Sequence, residues 1–224
     1  MDFRQKYDVV LEKMDKAAQK SGRSLKDVIL VAVTKKVSVE KILEAQNAGL
    51  KIFGENKIQE AVSKVPQVPG AEWHMIGSLQ TNKIKTALSL FHLIQSVDSL
   101  RLAQKINDEA RAEGKTANVL LEINISREPQ KHGFSADAIY SAMDEMALLP
   151  NLKIMGLMGM GPYPVDPDKT RAAFKTLRSC FSVCKGLKLP NMEMRYLSMG
   201  MSEDYEIAIE EGSNMLRLGR ALFQ

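Results

Sequence analysis

The sequence has few of the features that mark secreted, metal-binding or membrane proteins. Its two cysteines, Cys180 and Cys184, lie four residues apart in a helical pattern and are too few for a zinc site. We expect both to be free thiols that pack in the interior. The N-terminal residues MDFRQKYDVVLEKMDKAA lack the apolar core of a signal peptide, and no stretch approaches the length of a membrane span. We therefore expect a cytoplasmic protein without a membrane partner.

Neither sign of charge dominates the sequence. The 31 Lys and Arg residues exceed the 27 Asp and Glu residues by a net charge of +4, and no dense basic block occurs. Without a basic stripe and interleaved aromatic residues, a nucleic-acid partner is not expected. The chain of 224 residues is 45% hydrophobic and has no low-complexity segment or long Pro/Gly/Ser linker. These properties predict one soluble domain over residues 1–224 with a sizeable core.

Short apolar runs alternate with amphipathic helical patterns along the whole chain. The apolar runs, typical of buried strands, begin near Val28, Lys51, Trp73, Phe91, Asn118, Leu152, Met194 and Met215. Helical patterns cover 3–20, 38–48, 56–64, 80–89, 99–113, 135–148, 168–184 and 203–211. Such alternation indicates parallel strands, and eight of them favour closure into a barrel. We predict an α/β fold, a single (β/α)₈ TIM barrel with an extra N-terminal helix and no helix after the last strand. A flavodoxin-like sheet is the alternative, but it would need fewer strands.

A barrel of this type carries its functional site at the carboxyl ends of the strands. The first strand, ILVAV, is followed directly by Thr34, Lys35 and Lys36, and the second by Glu55 and Asn56. Lysine at a strand end is usually no more than a solvated surface residue. The rest of the barrel mouth therefore decides whether these lysines have a function.

The segments after strands seven and eight resemble phosphate sites of other barrels. The loop SMGMS contains Gly200, Met201 and Ser202, and Ser202 is a plausible N-cap of the helix that follows. Gly219 comes just after strand eight, where a bare backbone could approach a ligand closely. Barrels often bind phosphate at these two positions with backbone amides and a helix N-terminus. Together the two segments predict a phosphate cradle.

A lysine that faces a phosphate cradle suggests Schiff-base chemistry. Lys35 could react with a phosphorylated aldehyde if partial desolvation or cationic neighbours, such as Lys36 and Arg217, favoured its free amine. Pyridoxal 5′-phosphate is one such aldehyde. An aldose-phosphate lyase that forms a Schiff base without a cofactor is equally compatible with the pattern.

Eight stretches of the chain are similar, in order, to the pyridoxal phosphate homeostasis protein family. They are LVAVTKK, FGENKIQE, WHMIGSLQTNK, IQSVDSL, NIS…KHGF, LMGMGP, LSMGMSEDYEIAIEEGS and LRLGRALF, and they extend from about residue 28 to the end. The family has the fold of the N-terminal barrel domain of alanine racemase. The resemblance implies a protein that binds pyridoxal phosphate, has no known enzymatic activity and acts in vitamin B6 and amino-acid homeostasis.

The same resemblance implies a role for individual residues. Lys35 would be the Schiff-base lysine, Asn56 would lie close to the cofactor ring, and Arg217 would face the pyridine nitrogen. The phosphate would be bound by Ser202 with the neighbouring backbone of Gly200 and Met201, and by the amides around Gly219 and Arg220. Lys131, and Lys36 beside the Schiff-base lysine, would be secondary sites of cofactor contact or transfer.

The chain departs from the family pattern at three positions. Val37 stands where the family often has a second lysine, Arg220 replaces a common threonine, and Gly159 replaces another. If the second lysine relays cofactor, Lys36 must substitute for it. Arg220 would preserve a backbone contact with phosphate and add a positive charge to it. Gly159 has no evident interpretation.

The residues also favour a carrier over an enzyme. An arginine beside the pyridine nitrogen disfavours ring protonation and weakens the ring as an electron sink. Alanine racemase adds a second domain with a tyrosine base, which we do not expect here, so a single-domain racemase is the alternative. His74, Tyr163 and Tyr196 are its remaining acid–base candidates, each better explained by packing or a rim position. We expect a monomer whose partners are the cofactor and, among proteins, pyridoxal-phosphate-dependent apoenzymes or enzymes that produce the cofactor.

Overall fold

A computed structural model, which describes residues 2–126 and 132–224, shows a closed barrel of eight parallel strands. The strands are β1 (Ile29–Val33), β2 (Ile52–Glu55), β3 (Glu72–Met75), β4 (Leu93–Val97), β5 (Ala117–Ile123), β6 (Leu152–Gly159), β7 (Met192–Ser198) and β8 (Met215–Leu218). They pair in chain order, and β8 closes the ring by pairing with β1. The predicted (β/α)₈ barrel is confirmed.

Helices surround the barrel. They are α1 (Phe3–Lys20), α2 (Val39–Asn47), α3 (Ile58–Lys64), α4 (Ile84–Leu90), α5 (Leu100–Ala112), α6 (Ala138–Ala147), α7 (Pro167–Gly186), α8 (Tyr205–Glu210) and α9 (Arg220–Phe223). The expectation that no helix follows the last strand is wrong, because the short helix α9 begins directly after Gly219. The ring of Phe223 in α9 lies 5.6 Å from that of Phe3 in α1, so the two ends of the chain pack together.

The N-terminal helix α1 begins and ends where the sequence predicts. Its capping box is complete: the Asp2 carboxylate accepts from the Gln5 amide at 2.8 Å, and the Gln5 side chain accepts from the Asp2 amide at 3.1 Å. Phe3, Val10 and Met14 recur at helical spacing and are buried against the barrel. The capping residues and the spacing of apolar residues therefore both specify this helix.

The core has two layers. Inside the barrel, an apolar cluster contains Val31, Leu93, Leu120, Met155, Met158 and Met215. A larger layer lies between strands and helices, where the Phe53 and Trp73 rings are 5.5 Å apart. Cys180 and Cys184 of α7 belong to this layer and are buried, free thiols. None of the helices within the described ranges is long and apolar enough to cross a membrane.

Candidate cofactor-binding site

The strand register brings the predicted site residues to one end of the barrel. Val33 at the end of β1 pairs with Gly54 of β2, and β8 lies along the other edge of β1. The Arg217 amide of β8 donates to the Gly200 carbonyl at 3.0 Å, which places the segment after β7 beside β8. The residues that follow β7, β8, β1 and β2 at this mouth are Gly200, Met201, Ser202, Gly219, Arg220, Lys35, Lys36 and Asn56.

Lys35 and Lys36 form the middle of a tight turn that follows β1. The Val37 amide donates to the Thr34 carbonyl at 2.9 Å and closes this turn. Both lysines are exposed, whereas partial desolvation of Lys35 is expected from the sequence. Among the described residues the Lys35 amine has no hydrogen-bond or ion-pair partner. Protein contacts within these residues therefore leave the Lys35 amine accessible, and Lys36 is likewise exposed to solvent.

Asn56 follows β2 on the neighbouring side of the mouth and is half-buried. Its amide donates to Oε2 of the buried Glu55 carboxylate at 3.2 Å. With Met75 and Gln80, Asn56 lines a cavity of 680 Å³ that also extends along Gly77. The position is compatible with the predicted contact between Asn56 and a ring held at the mouth.

The segment after β7, residues 199–204, is here named the β7 loop. Helix α8 begins only at Tyr205, so the expectation that Ser202 is its N-cap is wrong. The Asp204 and Tyr205 amides both donate to the Met201 carbonyl, which forms a turn before the helix. The Ser202 hydroxyl instead accepts from the Ala221 amide of α9 at 3.1 Å. Ser202 thus joins the two segments that the sequence predicts around the phosphate.

Several backbone amides of these two segments are available to an anion. Within the described residues, no hydrogen bond uses the amides of Ser202, Glu203 or Arg220. The Met201 amide, which the resemblance includes in the phosphate site, already donates to the Asp204 carboxylate at 2.6 Å. In the β7 loop, the amides available to an anion therefore begin at Ser202 and not at Met201.

Arg220 has a partner that the sequence did not reveal. Its guanidinium lies 2.7 Å from the Glu203 carboxylate, and both side chains are largely exposed. The ion pair offsets the positive charge that the sequence argument assigned to phosphate binding. The charge of Arg220 is therefore expected to contribute little while Glu203 is present.

Removing the Glu203 charge should strengthen anion binding. In Glu203→Gln the freed Arg220 guanidinium should tighten binding of pyridoxal phosphate by about two- to fivefold, the range of one exposed ion pair. The dissociation constant, titrated at low and high ionic strength, should show the gain at low salt only, because salt screens exposed charges. The double variant Glu203→Gln/Arg220→Ala should lose the gain. A gain that persists in both controls would contradict the assignment.

Arg217 lies inside the barrel below the mouth. Its guanidinium donates to the Ser198 hydroxyl at 2.6 Å and to the Gly159 carbonyl at 3.0 Å. Burial lowers the pKa of Arg217 to about 10, although the Glu122 and Asp204 carboxylates act in the opposite direction. The side chain is still a cation at neutral pH. Among the residues that the structure describes, two of its five N–H groups have partners, which leaves donors for a ligand above.

A chain of side-chain hydrogen bonds continues from Arg217 through the barrel interior. Ser198 donates to Gln95 Oε1 at 2.7 Å, and Gln95 Nε2 lies 2.9 Å from His74 Nδ1. On the other side of the ring, His74 Nε2 lies 2.8 Å from the Glu72 carboxylate. Since Gln95 Nε2 can only donate, His74 carries its proton on Nε2. Burial lowers the pKa of His74, which favours this neutral ring. His74 is therefore an interior residue that orients Arg217 through Gln95 and Ser198.

Two buried carboxylates near Arg217 were not predicted from the sequence. Glu122 of β5 and Asp204 of the β7 loop are both buried, and burial raises the pKa of each carboxyl. Arg217 lowers both pKa values in part. A charged residue inside the apolar strand VLLEINI was a signal that could have revealed Glu122, whereas Asp204 looked like an ordinary first-turn residue.

The buried Glu122 carboxylate should lower the free energy of unfolding at neutral pH, compared with a neutral side chain at this position. Its folded-state pKa lies above the unfolded value, so its favourable contribution is present at low pH and is lost as pH rises through the folded pKa. Glu122→Gln should therefore unfold at higher urea concentration than wild type at about pH 7.5, with the gain shrinking toward about pH 4.5. Glu193→Gln, where Lys153 lowers the carboxyl pKa, should show the opposite sign. If Glu122→Gln and wild type were equally stable at both pH values, the expected gain in stability would be contradicted.

Lys131, predicted as a secondary contact, lies outside the described residues. A cavity of 720 Å³ borders Ser202 and is lined mainly by α1 and α8. Ser202 and Glu203 of the β7 loop line it, whereas Lys35 and Arg217 do not.

The chain matches the model of a known domain family over nearly its full length. Residues 9–224 match the family described as alanine racemase, N-terminal domain. This match defines the class of protein as a barrel of the alanine racemase N-terminal type. Alanine racemase of Clostridium difficile, at 17% identity and a TM-score of 0.71, shares this fold over 88% of the present chain and 51% of its own.

Sequence relatives narrow the class further. A pyridoxal phosphate homeostasis protein from Aquifex aeolicus is 38% identical over 96% of this chain and 94% of its own length. The protein of that name from Escherichia coli K12 is also 38% identical, over 96% and 92%. PipY of Synechococcus elongatus, solved with PLP bound, is 32% identical with a TM-score of 0.81 over 88% of this chain and 93% of its own. The chain belongs to the pyridoxal phosphate homeostasis protein family.

Proposed function

We propose that this chain binds pyridoxal 5′-phosphate at the barrel mouth, with a Schiff base to Lys35, and acts in vitamin B6 and amino-acid homeostasis without an enzymatic activity of its own. One observation carries the proposal. A free lysine amine, a buried arginine and a loop with available amides lie at the ends of neighbouring strands, in a family whose member PipY has been solved with PLP bound.

The chemistry of these donors fits the three functional parts of the cofactor. The Lys35 amine suits an aldehyde, and the amides of Ser202, Glu203 and Arg220 suit a phosphate. Arg217 offers N–H donors to an unprotonated pyridine nitrogen. When bound, the cofactor supplies an electrophilic aldehyde and an electron-accepting ring. Asn56 and Gly219 complete the site beside the ring and the phosphate.

Arg217 supports a carrier more than a catalyst. Its guanidinium is a cation at neutral pH and cannot accept a proton, so it keeps the pyridine nitrogen unprotonated and the ring a weak electron sink. The hydrogen bonds to Ser198 and Gly159 fix it in place. The residues of the mouth therefore suit retention of the cofactor better than withdrawal of electrons through it.

A single-domain amino-acid racemase is the second candidate, because a group suited to proton transfer lies near Arg217. Glu122 is buried near Arg217, and its pKa is raised by burial, as general acids and bases often require. A cofactor-independent lyase is the third candidate and predicts no coloured complex with pyridoxal phosphate.

The proposal extends to the organisation of the protein in the cell. Residues 1–224 would form one cofactor-binding domain, monomeric and cytoplasmic, with Lys36 and Lys131 as secondary cofactor contacts. Protein partners would be apoenzymes that receive the cofactor or enzymes that produce it. The closure of the barrel between β8 and β1 supports the single domain.

The distinguishing experiment measures binding and proton exchange on one sample. The protein is titrated with pyridoxal phosphate and then incubated with L-alanine and other amino acids in D₂O. A visible band without deuterium at Cα is the expected result. Deuterium at Cα that disappears in Glu122→Gln would favour the racemase. A protein that binds no pyridoxal phosphate would overturn the proposal.

A further inference from the structure

The turn that carries Lys35 is held in an unfavourable backbone conformation. Lys36 has a φ of 59°, in the left-handed region that residues with a side chain rarely adopt. Such a residue costs about 1 kcal/mol or more and persists only where the surrounding contacts enforce it. The structure contains those contacts directly beneath the turn.

A largely buried ionic cluster joins this turn to helix α3. We name it the Lys64 cluster; it consists of Lys64, Glu55, Glu60 and Thr34. The Lys64 ammonium donates to Glu55 Oε1 at 2.7 Å, to Glu60 Oε2 at 2.8 Å and to the Thr34 carbonyl at 2.8 Å. Its three donors are thus all used, and its side chain is 9% exposed. Lys64 is therefore a fixed interior cation, in contrast to the exposed Lys35.

The cluster holds the chain on both sides of Lys35. On one side, Lys64 binds the Thr34 carbonyl, and the Thr34 hydroxyl donates to Glu55 at 2.7 Å. On the other side, the Glu60 carboxylate accepts from the Lys36 amide at 3.0 Å. The Glu55 carboxylate also accepts from the Asn56 amide, so the segments of Lys35 and Asn56 share one anchor.

Stability alone does not explain such a cluster. Replacing buried ion pairs by packed apolar residues often leaves a protein equally stable or more stable, because desolvation offsets the attraction between the charges. What an apolar replacement could not supply is a donor for the Thr34 carbonyl and an acceptor for the Lys36 amide. These two contacts are specific to the position of Lys35.

We infer that Lys64 and Glu60 are positioning residues that fix the turn carrying the Schiff-base lysine. The inference rests on the proposed function. Preorganisation of the turn reduces the conformational entropy that Lys35 loses when a ligand is bound to it. Because the Lys64 ammonium is fully engaged, it does not compete with Lys35 for the aldehyde.

The decisive variant is Glu60→Ala. Lys64→Met would leave the Glu55 carboxylate buried without its cation and is expected to reduce the yield of folded protein, whereas Glu60→Ala leaves Lys64 bound to Glu55 and Thr34. Glu60→Ala should weaken pyridoxal phosphate binding, read from the visible absorption band, by about tenfold. The fraction of Lys35 trapped by borohydride at a fixed cofactor concentration should fall with it.

A second substitution separates positioning from general loss of structure. Glycine adopts a positive φ without steric cost, so Lys36→Gly in the Glu60→Ala background should restore most of the lost affinity. Affinities are compared with that of Lys36→Gly alone, so that any contribution of the Lys36 amine itself is subtracted. Arg23→Met is the matched control, because Arg23 donates to the Ile209 and Gly212 carbonyls at the C-terminal end of α8, away from the Lys35 turn. It should lower the melting temperature and leave affinity unchanged.

The possible failures are distinguishable. If wild type binds pyridoxal phosphate on Lys35 and Glu60→Ala binds it equally well, the inference is overturned and the proposed function stands. If affinity falls but Lys36→Gly does not restore it, Glu60 does not act through the turn and the inference is again overturned. If wild type itself shows no band, it is the proposed function that fails.

Discussion

Replacing Lys35 by alanine should abolish the visible absorption band that wild type develops with pyridoxal phosphate. The band requires a Schiff base, and the Lys35 amine follows β1 directly, exposed and without a partner among the described residues. The amides of Ser202 and Glu203 remain in the variant, so the cofactor should still bind through its phosphate. We expect affinity to fall by about a hundredfold, equivalent to about 2.8 kcal/mol. Absorption titration measures the band, and equilibrium dialysis measures the residual binding.

The neighbouring lysines provide the controls for this variant. Lys36→Ala removes the adjacent exposed amine and should preserve the band, as should Lys57→Ala beyond Asn56 on the other side of the mouth. All three variants should unfold at similar temperatures, because these side chains are exposed. A full band in Lys35→Ala would mean that another lysine is the reacting group.

Gly200→Ala should damage both the fold and the site, and it is the second large expected effect. Gly200 has a φ of 101°, and an added Cβ would lie 2.6 Å from the Ala208 Cβ of α8. Backbone strain of about 1–3 kcal/mol adds to overpacking of similar size. Since Gly200 accepts from the Arg217 amide, the displacement should also move the β7 loop and weaken phosphate binding.

Gly49 offers a matched control for the strain alone. Its φ is 107°, and apart from its own chain neighbours no atom of the described residues lies within 4 Å of the position that a Cβ would take. Gly49→Ala should therefore lose only the conformational part of the stability, with unchanged affinity for pyridoxal phosphate. Urea unfolding and cofactor titration of both variants measure the difference. Equal losses of stability in the two variants would show that the close contact with α8 has no effect.

The sequence was sufficient for elements whose signals are local. Helix α1 has a capping residue, helical apolar spacing and a terminating Ser21-Gly22 break, and its predicted range of 3–20 is the observed one. The eight strands were recognisable as apolar runs, and their alternation with helices indicated the barrel. Helix α9 was missed because four residues are too few for a periodic pattern.

Contacts between residues that are far apart in the sequence could not be predicted from it. Ser202 resembled an N-cap, yet its hydroxyl accepts a hydrogen bond from the Ala221 amide. The nearby Asp204 carboxylate accepts from the Met201 amide in the turn before α8. Arg220 looked like an added charge, but Glu203 offsets it. In each case, a partner remote in sequence or a local turn decided the role of the side chain.

The candidate site was predicted in outline, and its supporting residues were not. Lys35 and Arg217 were named from the residues at the strand ends and Asn56 from the family resemblance, and all three occupy the expected end of the barrel. The contacts of Lys64 to the Thr34 carbonyl and of Gln95 to His74 link residues 21 or more positions apart. No residue type at these positions signals such pairing, so only the folded chain reveals it.

Borohydride reduction followed by peptide mass mapping tests the central claim most directly. The protein is mixed with pyridoxal phosphate, reduced and digested, and the mass added by the cofactor is assigned to individual lysines. We predict a single reduced adduct on Lys35 in wild type, with none on Lys64, whose ammonium is buried and fully bonded. An adduct mainly on another lysine, or none on any, would contradict the account.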